Sequence, residues 1–503
     1  MSIGKPIFVS ALLLTVVNLL LRFASTGFQV FLSARIGAEG IGLLQLVLSV
    51  STMATVAAMA GVRTATMYLT AEEIGKNRFK NIRNILSSCI GYSIGCSLLV
   101  SSVVFVFAPY LAKNWIRNVQ TVDSIRLFAA FLPVNCLTGV MVGYFTGAQK
   151  IFTLAAVEVV EQLCSMVCTV LLLNAWAGHD PARCSFAVVL GSGIAGSMTL
   201  TTLMVLRLLE RAPKYPRVNS TGRLLDIAIP LAIADDLRTG ISTLENLIVP
   251  RRLALFAGEI APLATFGTVC GMVFPVLMFP IAILYGMTEL LVPELARCKA
   301  AGSQRRIKYL VRRGLRIALL YGALCAGVLY LSADALCMAL YHNKQAAQYL
   351  KLFAPLAVML YMDAVTDSMV KGLGQQKASV RYNILTNCMD VVLLYKLLPV
   401  YGMNGYYFSF LMTHVINFLL SIRRLLRISG VQIDWKVPAA TLISAITAGV
   451  LAQCTDQGLI RAVTYCALFP TGLFLTKVLT SEDLNWIIGL IKPNFASKKN
   501  TAP

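Results

Sequence analysis

Four arginines lie within long apolar stretches of the sequence, and they are the side chains whose chemistry is most informative: Arg22, Arg63, Arg126 and Arg238. An ionisable group inside a membrane span costs about 3 kcal/mol or more, so it usually faces a protein interior or a water-filled cavity. A guanidinium binds phosphate oxygens through two parallel hydrogen bonds and keeps its charge. Arg22 and Arg238 lie at similar depth, far from the inner surface, and we predict that they converge on an anionic headgroup.

Each of these assignments has a structural alternative. Arg22 also fits a side chain that extends to the outer surface or forms a structural ion pair. Arg238 follows Asp235 by three residues, a spacing that allows local pairing on one helix face. Arg63 lies in the inner third of its span, where it either lines the inward mouth of a cavity or extends to the cytoplasmic surface.

Arg251 and Arg252 end a span on the outer side, against the general distribution of basic residues. They are candidates to hold or release an anionic headgroup at that surface. The alternative is an ordinary interfacial anchor, because long basic side chains commonly reach the headgroup layer from the end of a span.

Several carboxylates at membrane depth are candidates for ion coupling or gating: Glu158, Glu161, Asp235, Asp363, Asp367 and Asp390. Glu158 and Glu161 share one helix face, since residues three or four positions apart are neighbours. Asp363 and Asp367 share a face of another span in the same way, and Glu245 also lies at this depth. Such acids bind Na⁺ or a proton. Structural pairing that closes an inner gate is the alternative.

The composition places these residues in a membrane protein. Hydrophobic residues make up 57% of the chain and charged residues 13%, with a mean hydropathy of +0.73, whereas soluble domains carry about 25% charged residues. A helix needs about 20 apolar residues to cross a bilayer, and continuous apolar runs without alternation favour helices over a barrel. We predict an all-α polytopic protein of about fourteen transmembrane helices, over residues 7–32, 42–69, 85–109, 124–147, 153–177, 184–206, 224–250, 262–286, 314–332, 350–371, 379–399, 403–423, 437–455 and 460–480.

Positive charge is concentrated in alternate gaps between these spans. Of the 44 Lys and Arg residues, roughly 30 lie in gaps on the side of the N-terminus and roughly 10 on the other side, which predicts that both termini are cytoplasmic. The net charge of +21 therefore faces the anionic lipids of the inner leaflet. This distribution excludes nucleic acid as a partner.

Matched spacings indicate an internal repeat. Two arginine pairs have the same spacing of thirteen residues and are offset by 216 positions: Arg22 with Arg35, and Arg238 with Arg251. A second match, GAQK at 147–150 and GQQK at 374–377, has an offset of 227. Transporters commonly bind substrate at mid-membrane between such repeats. The predicted domains are an N-terminal six-helix lobe, a parallel C-terminal lobe, two additional helices and a cytoplasmic tail, over residues 1–216, 217–432, 433–480 and 481–503.

No cofactor or metal site is predicted. The thirteen cysteines are scattered through apolar spans without a CxxC pair, and the three histidines are isolated, whereas zinc sites need clustered ligands. No GxxxxGK[ST] loop is present, so we expect no ATP hydrolysis by this chain. The loops are short and basic, which argues against an intramembrane enzyme.

Three stretches resemble a known family: FLSARIGAEGIGLLQLVLSV, PLAIADDLRTGISTLENLIVPRRL and YGMNGYYFSFLMTHVINFLLSIRRLLR. Along nearly its whole length the chain is similar to the polysaccharide-transport branch of the multidrug/oligosaccharidyl-lipid/polysaccharide (MOP) flippase superfamily. The resemblance implies two six-helix lobes around a cavity in a bacterial plasma membrane. It also implies transport of undecaprenyl-pyrophosphate-linked sugars such as lipid II, the peptidoglycan precursor, with an association with sporulation and a cell-wall synthase as a partner.

The predicted function is a flippase that carries a polyprenyl-pyrophosphate-linked saccharide from the inner to the outer leaflet by alternating access. Arginines hold the pyrophosphate, the lipid tail stays in the bilayer, and Na⁺, H⁺ or the membrane potential drives the cycle. A cation-coupled multidrug antiporter of the same superfamily is the main alternative. Asp363 and Asp367 leave the antiporter open because cationic drugs favour acidic cavities, whereas Arg22 and Arg238 argue against it. A non-transporting scaffold for a synthase is a further alternative.

Overall fold

A computed structural model describes residues 4–76, 81–177, 180–209, 221–455 and 458–479. Every regular element in these residues is helical. A helix suits a lipid environment because it pairs the backbone N–H and C=O groups of a span within that span. The α-helices are α1 (Gly4–Met59), α2 (Val62–Gly75), α3 (Ile82–Tyr110), α4 (Val122–Gly147), α5 (Ile151–Leu172), α6 (Pro181–Leu209), α7 (Thr221–Leu253), α8 (Pro262–Gly267), α9 (Phe274–Met278), α10 (Ile281–Ala300), α11 (Gln304–Tyr341), α12 (Lys344–Phe353), α13 (Leu356–Gly372), α14 (Gln376–Ser429), α15 (Lys436–Gln453) and α16 (Gly458–Leu475).

Two of these helices are longer than a bilayer requires because each is interrupted at a glycine. In α1, which has 56 residues, Gly37 adopts φ 70° and ψ 179°. In α14, which has 54 residues, Gly402 adopts φ 56° and ψ −137°. Positive φ is readily available only to glycine, so the chain changes direction at these points without a loop. Both interruptions fall in gaps between predicted spans.

Each predicted span lies mostly on helical residues of the described chain. The span predicted at 42–69 is broken at Ala60 and Gly61, and the last one extends beyond the end of α16 to residue 480, which lies outside the described residues. By length and apolarity, eight described helices can cross a membrane, or up to ten if each of two bent pairs is one span. The pairs are Pro262–Met278 with Ile281–Ala300 and Lys344–Phe353 with Leu356–Gly372, each bent by 55°. The all-α multi-pass prediction is therefore confirmed. Because α1 and α14 each hold two predicted spans, the count of fourteen is met approximately.

Residues 1–286 and 380–413 form one compact unit, which we call the first unit. A buried core in this unit is built from apolar side chains of α2, α3, α4 and the start of α7, and it includes Leu69, Phe145 and Leu224. These three side chains are at most 1% exposed, and such close packing, rather than transfer out of water, is what holds helices together in a membrane. The core thus joins the start of α7 to three helices from early in the chain.

Glycines allow α2 to lie directly against α4. A Cβ atom on Gly143 would be 2.4 Å from the carbonyl oxygen of Arg63, and one on Gly147 would be 2.6 Å from that of Met67. A larger side chain at either position would push the helices apart. This close contact holds the backbone of Arg63 in place.

A second close crossing joins α1 to α8 within the first unit. A Cβ atom on Gly42 would be 2.3 Å from the carbonyl oxygen of Leu263, and one on Gly267 would be 2.0 Å from that of Ala38. The contacts are reciprocal, because Gly267 lies 225 positions after Gly42 and Leu263 lies 225 positions after Ala38. Two equivalent segments therefore meet backbone to backbone.

Residues 287–379 and 414–503 form the second unit. Its core includes the ring of Tyr465, which is 1% exposed and whose hydroxyl donates to the carbonyl oxygen of Ala323 at 3.0 Å. Gly327 leaves room for this ring, because a Cβ atom there would be 2.1 Å from a ring carbon. Helix α16 is thereby fixed to α11.

The same local features recur 225 residues apart along the chain. A residue with positive φ is followed by an asparagine whose side chain accepts a hydrogen bond from the main-chain nitrogen two positions on, at 2.9 Å in both cases. These residues are Arg117 with Asn118, and His342 with Asn343. Helices α4 and α13 end at Gly147 and Gly372, and each is followed two residues later by positive φ. The helix ends therefore align at an offset of 225 rather than the 227 expected from GAQK and GQQK.

The offset grows from 216 at the arginine pairs to 225 beyond the loop between α7 and α8. Helix α1 has no loop at the corresponding position, which accounts for the difference. These matches support a repeat. The division into two six-helix lobes stays a prediction, since its boundary at residue 216 lies outside the described residues. Helices α15 and α16 lie within the predicted segment 433–480. The predicted tail, 481–503, also lies outside the described residues.

Candidate functional site

Arg22 is half-buried on α1 and is held at a break in another span. Its Nη2 donates to the carbonyl oxygen of Met278 at 3.0 Å, and its Cζ lies 5.9 Å from the ring centre of Tyr285. Met278 is the last residue of α9, and the nitrogen of Ala282 bonds to Phe279 instead. The Met278 carbonyl therefore has no helical partner, a usual situation at a helix end. Among the described side chains no carboxylate pairs with Arg22.

Arg63 is exposed at the start of α2, and its charge acts on the carboxylate of Glu158 on α5. Glu161 lies one turn further along α5, interacts with Glu158 and accepts a hydrogen bond from Thr199 of α6. The predicted common face of Glu158 and Glu161 thus lies toward α2 and α6. The structure thus brings Glu158 to Arg63, while Glu161 interacts with Glu158 and Thr199.

The same helix also contacts α1 close to Arg22. The amide of Gln162 donates to the hydroxyl of Ser25 at 3.1 Å, and Ser25 lies one turn beyond Arg22. This link had no sequence prediction, because 137 positions separate the two residues. The link places two neutral polar side chains, Gln162 and Ser25, near the charged side chains of Glu161 and Arg22.

Arg238 and Asp235 are both exposed on α7. Within the described part of the chain, no ion pair joins Arg238 to Asp235 or to another carboxylate. The structure therefore does not show the local pairing that the spacing allows. The convergence of Arg238 and Arg22 on one headgroup stays a prediction.

Arg251 and Arg252 bind main-chain carbonyls at the end of α7. Arg251 donates to the carbonyls of Asn114 and Trp115, at 2.6 Å for the latter, and so caps a π-helical segment that follows α3. Arg252 donates to the carbonyl of Tyr395 at 3.1 Å and stacks on its ring, with Cζ 3.3 Å from the ring centre. These contacts are those of structural anchors, and a headgroup role for either residue stays a prediction.

Two carboxylates interact in the first unit: Asp390, a predicted ion-coupling residue, and Glu245, which the sequence places at the same membrane depth. Asp390 on α14 accepts hydrogen bonds from Ser409 at 2.5 Å and from Thr413 at 3.5 Å. Glu245 on α7 lies close enough for its charge to act on Asp390, and its buried Oε1 has no hydrogen-bond partner in the described chain. Two like charges in a poorly solvated place repel each other, so a proton or cation between them is favourable.

Asp363 and Asp367 have separate partners in the second unit. Both oxygens of Asp363 accept from the amide of Asn417, at 2.9 and 3.1 Å. Asp367 pairs with Lys371 at 2.6 Å and accepts a hydrogen bond from Ser379. Asp367 is thus neutralised locally, whereas the hydrogen bonds to Asp363 come from a neutral amide. Asn417 could not be identified from the sequence, since 54 positions separate it from Asp363.

Among the described residues, no group of three or more His, Cys, Asp and Glu side chains is placed to hold a metal ion. Comparison with known proteins narrows the function that the charged groups described above can serve.

The MatE family model matches residues 6–172. Stage V sporulation protein B of Bacillus subtilis (strain 168) is 22% identical over 444 residues, which cover 85% of this chain and 85% of that protein. The chain is a homologue of stage V sporulation protein B. The predicted resemblance is therefore confirmed at the level of sequence.

Two solved structures share the fold of this chain. The lipid II flippase MurJ, in an inward closed conformation, matches with a TM-score of 0.66 at 11% identity, over 96% of this chain and 100% of that one. An inward-facing multidrug resistance transporter of the MATE family matches with a TM-score of 0.65 at 14% identity, over 83% and 100%. The chain is thus a multi-pass membrane protein, as predicted, with the fold that these two transporters share. The orientation of its termini stays a prediction.

Proposed function

We propose that the protein is a flippase for a polyprenyl-pyrophosphate-linked saccharide, such as a lipid II-like peptidoglycan precursor, which it moves from the inner to the outer leaflet by alternating access. The observation that supports this most is the setting of Arg22, a half-buried guanidinium within a span whose partner is a neutral carbonyl. Without a paired carboxylate, its charge is available to an anionic ligand. A pyrophosphate fits the two-pronged geometry of the guanidinium.

In the proposed cycle, Arg22 exchanges the oxygen of Met278 for a phosphate oxygen. The exchange is favourable because the phosphate oxygen carries the opposite charge and the guanidinium can form two parallel hydrogen bonds with a phosphate group. Arg238 and Arg63 are the next proposed contacts, since both are exposed and neither lies in an ion pair of the described chain. Arg251 and Arg252 are proposed to act only at the outer surface.

Ion coupling is proposed at the acidic pair of Glu245 and Asp390. A proton or Na⁺ bound there in one state of the cycle and released in the other would link transport to an ion gradient. Glu158, Glu161 and Asp363 are further proposed participants. The membrane potential favours outward movement of an anion by about 2.3 kcal/mol per charge per 100 mV. A cell-wall synthase remains the proposed protein partner.

Native mass spectrometry with undecaprenyl pyrophosphate, undecaprenyl phosphate and phosphatidylglycerol tests the proposed ligand. We expect the wild type to prefer the pyrophosphate and R22A to lose roughly tenfold or more in affinity, about 1.4 kcal/mol. R126A is the matched control, because Arg126 is also a span arginine but is exposed and stacked on Phe105, 5.4 Å from the ring centre. Equal binding of the three lipids by the wild type would contradict the proposal.

A cation-coupled multidrug antiporter is the second candidate, favoured by one observation. Glu245 and Asp390 place two carboxylates near Tyr406, an aromatic ring whose surroundings suit an organic cation. An exchange assay with a fluorescent cationic drug in proteoliposomes tests this alternative. Drug efflux driven by an imposed Na⁺ or proton gradient, and lost in E245Q, would favour the antiporter. Absence of efflux from a preparation that binds undecaprenyl pyrophosphate would favour the flippase.

A further inference from the structure

Helix α2 is separated from α1 by a sharp break that packs against α7. Ala60 and Gly61, between the two helices, have φ values of 42° and 71°, which is uncommon for alanine. A Cβ atom on Gly61 would be 2.4 Å from the carbonyl oxygen of Ala228, so no other residue fits there without moving α7. The hydroxyl of Tyr92 donates to the carbonyl oxygen of Ala60 at 3.3 Å. One end of α2 is therefore in backbone contact with α7.

The other end of α2 carries an ion pair with the first turn of α7, in which the carboxylate is buried and the guanidinium is 45% exposed. The side chain of Glu73 is 0% exposed, and its Oε1 accepts from Nη1 of Arg223 at 2.9 Å. Its Oε2 accepts from the amide of Asn81 at 3.1 Å. The Nη2 of Arg223 also binds Glu72, at 2.7 Å. One guanidinium thus spans two consecutive carboxylates across 150 positions of sequence.

This ion pair differs from an ordinary surface pair. Exposed pairs contribute little, because water solvates both charges when they separate. Glu73 is sealed by protein, and removal of its partner would leave a buried, uncompensated carboxylate, which is strongly unfavourable. Leu224 and Ala228, one and five residues beyond Arg223, are 0% exposed in the same apolar core as Leu69 of α2. The contact between α2 and α7 is therefore apolar along its length and charged at its end.

We propose that Glu73 and Arg223 form a latch that closes the cytoplasmic side of the transporter by holding α7 against α2. Helix α2 is fixed on α4 through Gly143 and Gly147, so the latch joins α7 to a body made of these helices. Arg63 is the second residue of α2 and therefore belongs to this body, on the other side of the latch from α7. Alternating access requires such contacts to break and re-form in each cycle. The proposal does not depend on which cargo is carried.

Hydrogen–deuterium exchange of the full chain in lipid nanodiscs tests the latch. We expect R223Q to accelerate amide exchange in residues 62–75 and 222–230 by roughly tenfold or more, because the separated state becomes populated. K76Q is the matched control, since Lys76 caps the end of α2 and pairs with Glu72 four residues earlier rather than with the buried Glu73. Equal exchange in R223Q and K76Q would overturn the proposal.

A native cysteine gives a second measure of opening. Cys89 is 0% exposed in the core that joins α2, α3 and α7, and Cys337 is 1% exposed in the second unit. We expect N-ethylmaleimide to modify Cys89 several-fold faster in R223Q than in the wild type, with Cys337 unchanged. Equal acceleration at both cysteines would indicate general unfolding and would also overturn the latch.

A double variant keeps the test decisive if R223Q does not fold. E73Q/R223Q removes both charges and leaves no buried unpaired carboxylate, while amide groups remain to hydrogen-bond. We expect amide exchange in residues 62–75 and 222–230 to be faster in this variant than in K76Q. Rates equal to those of K76Q would show that the ion pair does not hold α7.

Discussion

The guanidinium of Arg22 binds the carbonyl oxygen of Met278 at 3.0 Å, although 256 positions of sequence separate the two residues. The carbonyl is free because α9 ends there, just before Pro280 and the start of α10. An arginine inside a span and a break in a distant span are thus parts of one structural element. The neutral carbonyl holds the guanidinium without cancelling its charge.

The geometry of this contact predicts different effects of two substitutions. In R22K the positive charge remains but the two-pronged donor is lost, so we expect affinity for undecaprenyl pyrophosphate to fall by roughly three- to tenfold, about 1 kcal/mol. R22A should fall further. Binding measured by native mass spectrometry checks the order. Equal affinity in R22K and R22A would show that the positive charge alone contributes nothing to binding, and it would contradict the expected order.

The crossing of α1 and α8 predicts a steric effect on stability. G267A places a Cβ atom 2.0 Å from the carbonyl oxygen of Ala38, and we expect it to destabilise the protein by about 1–3 kcal/mol, the usual cost of overpacking. G91A is the control, because Gly91 is exposed on α3 with no atom within 4 Å of the added Cβ. It should be neutral or stabilising by about 0.5–1 kcal/mol. Thermal unfolding in detergent measures both, and a G267A protein as stable as G91A would argue against the crossing.

The acidic pair predicts ion dependence. E245Q and D390N each remove one of two interacting carboxylates, so we expect both to abolish the part of transport that depends on an imposed Na⁺ or proton gradient. D334N is the control, because Asp334 is 63% exposed and pairs with Lys351 in the second unit. Flux measured in proteoliposomes with and without each gradient checks this. Gradient-dependent flux that survives in both variants would place the coupling site elsewhere.

Glu72, next to the latch, predicts a pH dependence of stability. Hydrogen bonds from Lys76 and then from Arg223 lower the pKa of Glu72 below its ordinary value of 4.5. A lowered pKa in the folded state means that the stabilisation is present above the unfolded pKa and is lost as pH falls through the folded one. We expect the difference in melting temperature between wild type and E72Q to be constant from pH 7 to 5 and to shrink below 4.5. A difference that shrinks between pH 7 and 5 would contradict the ion pairs.

Hydropathy predicted most of the fold, because each span needs its own continuous apolar run. The junctions at Gly37 and Gly402 fall in the expected gaps for the same reason. The bends near Pro280 and Pro355 were less predictable, since a proline shows that a helix can break but not by how much. The offset of the repeat was also misjudged at one point, because GAQK matches GQQK in letters whereas the helix ends match Gly147 to Gly372.

The candidate site was less predictable than the fold. The depth of a charge can be estimated from the sequence, so Arg22 and Asp390 were identified. Their partners cannot be, since a carbonyl such as that of Met278 carries no side-chain signature. Glu73 and Arg223 lie at the ends of spans, where charges are ordinary, and only their contact distinguishes them.

Translocation of fluorescent lipid II in proteoliposomes, with an imposed membrane potential, tests the central claim most directly. We expect the wild type and R126A to transport lipid II, and we expect R22A and R238A to lose this transport. Transport that persists in R22A at the wild-type rate would contradict the claim that Arg22 holds the pyrophosphate.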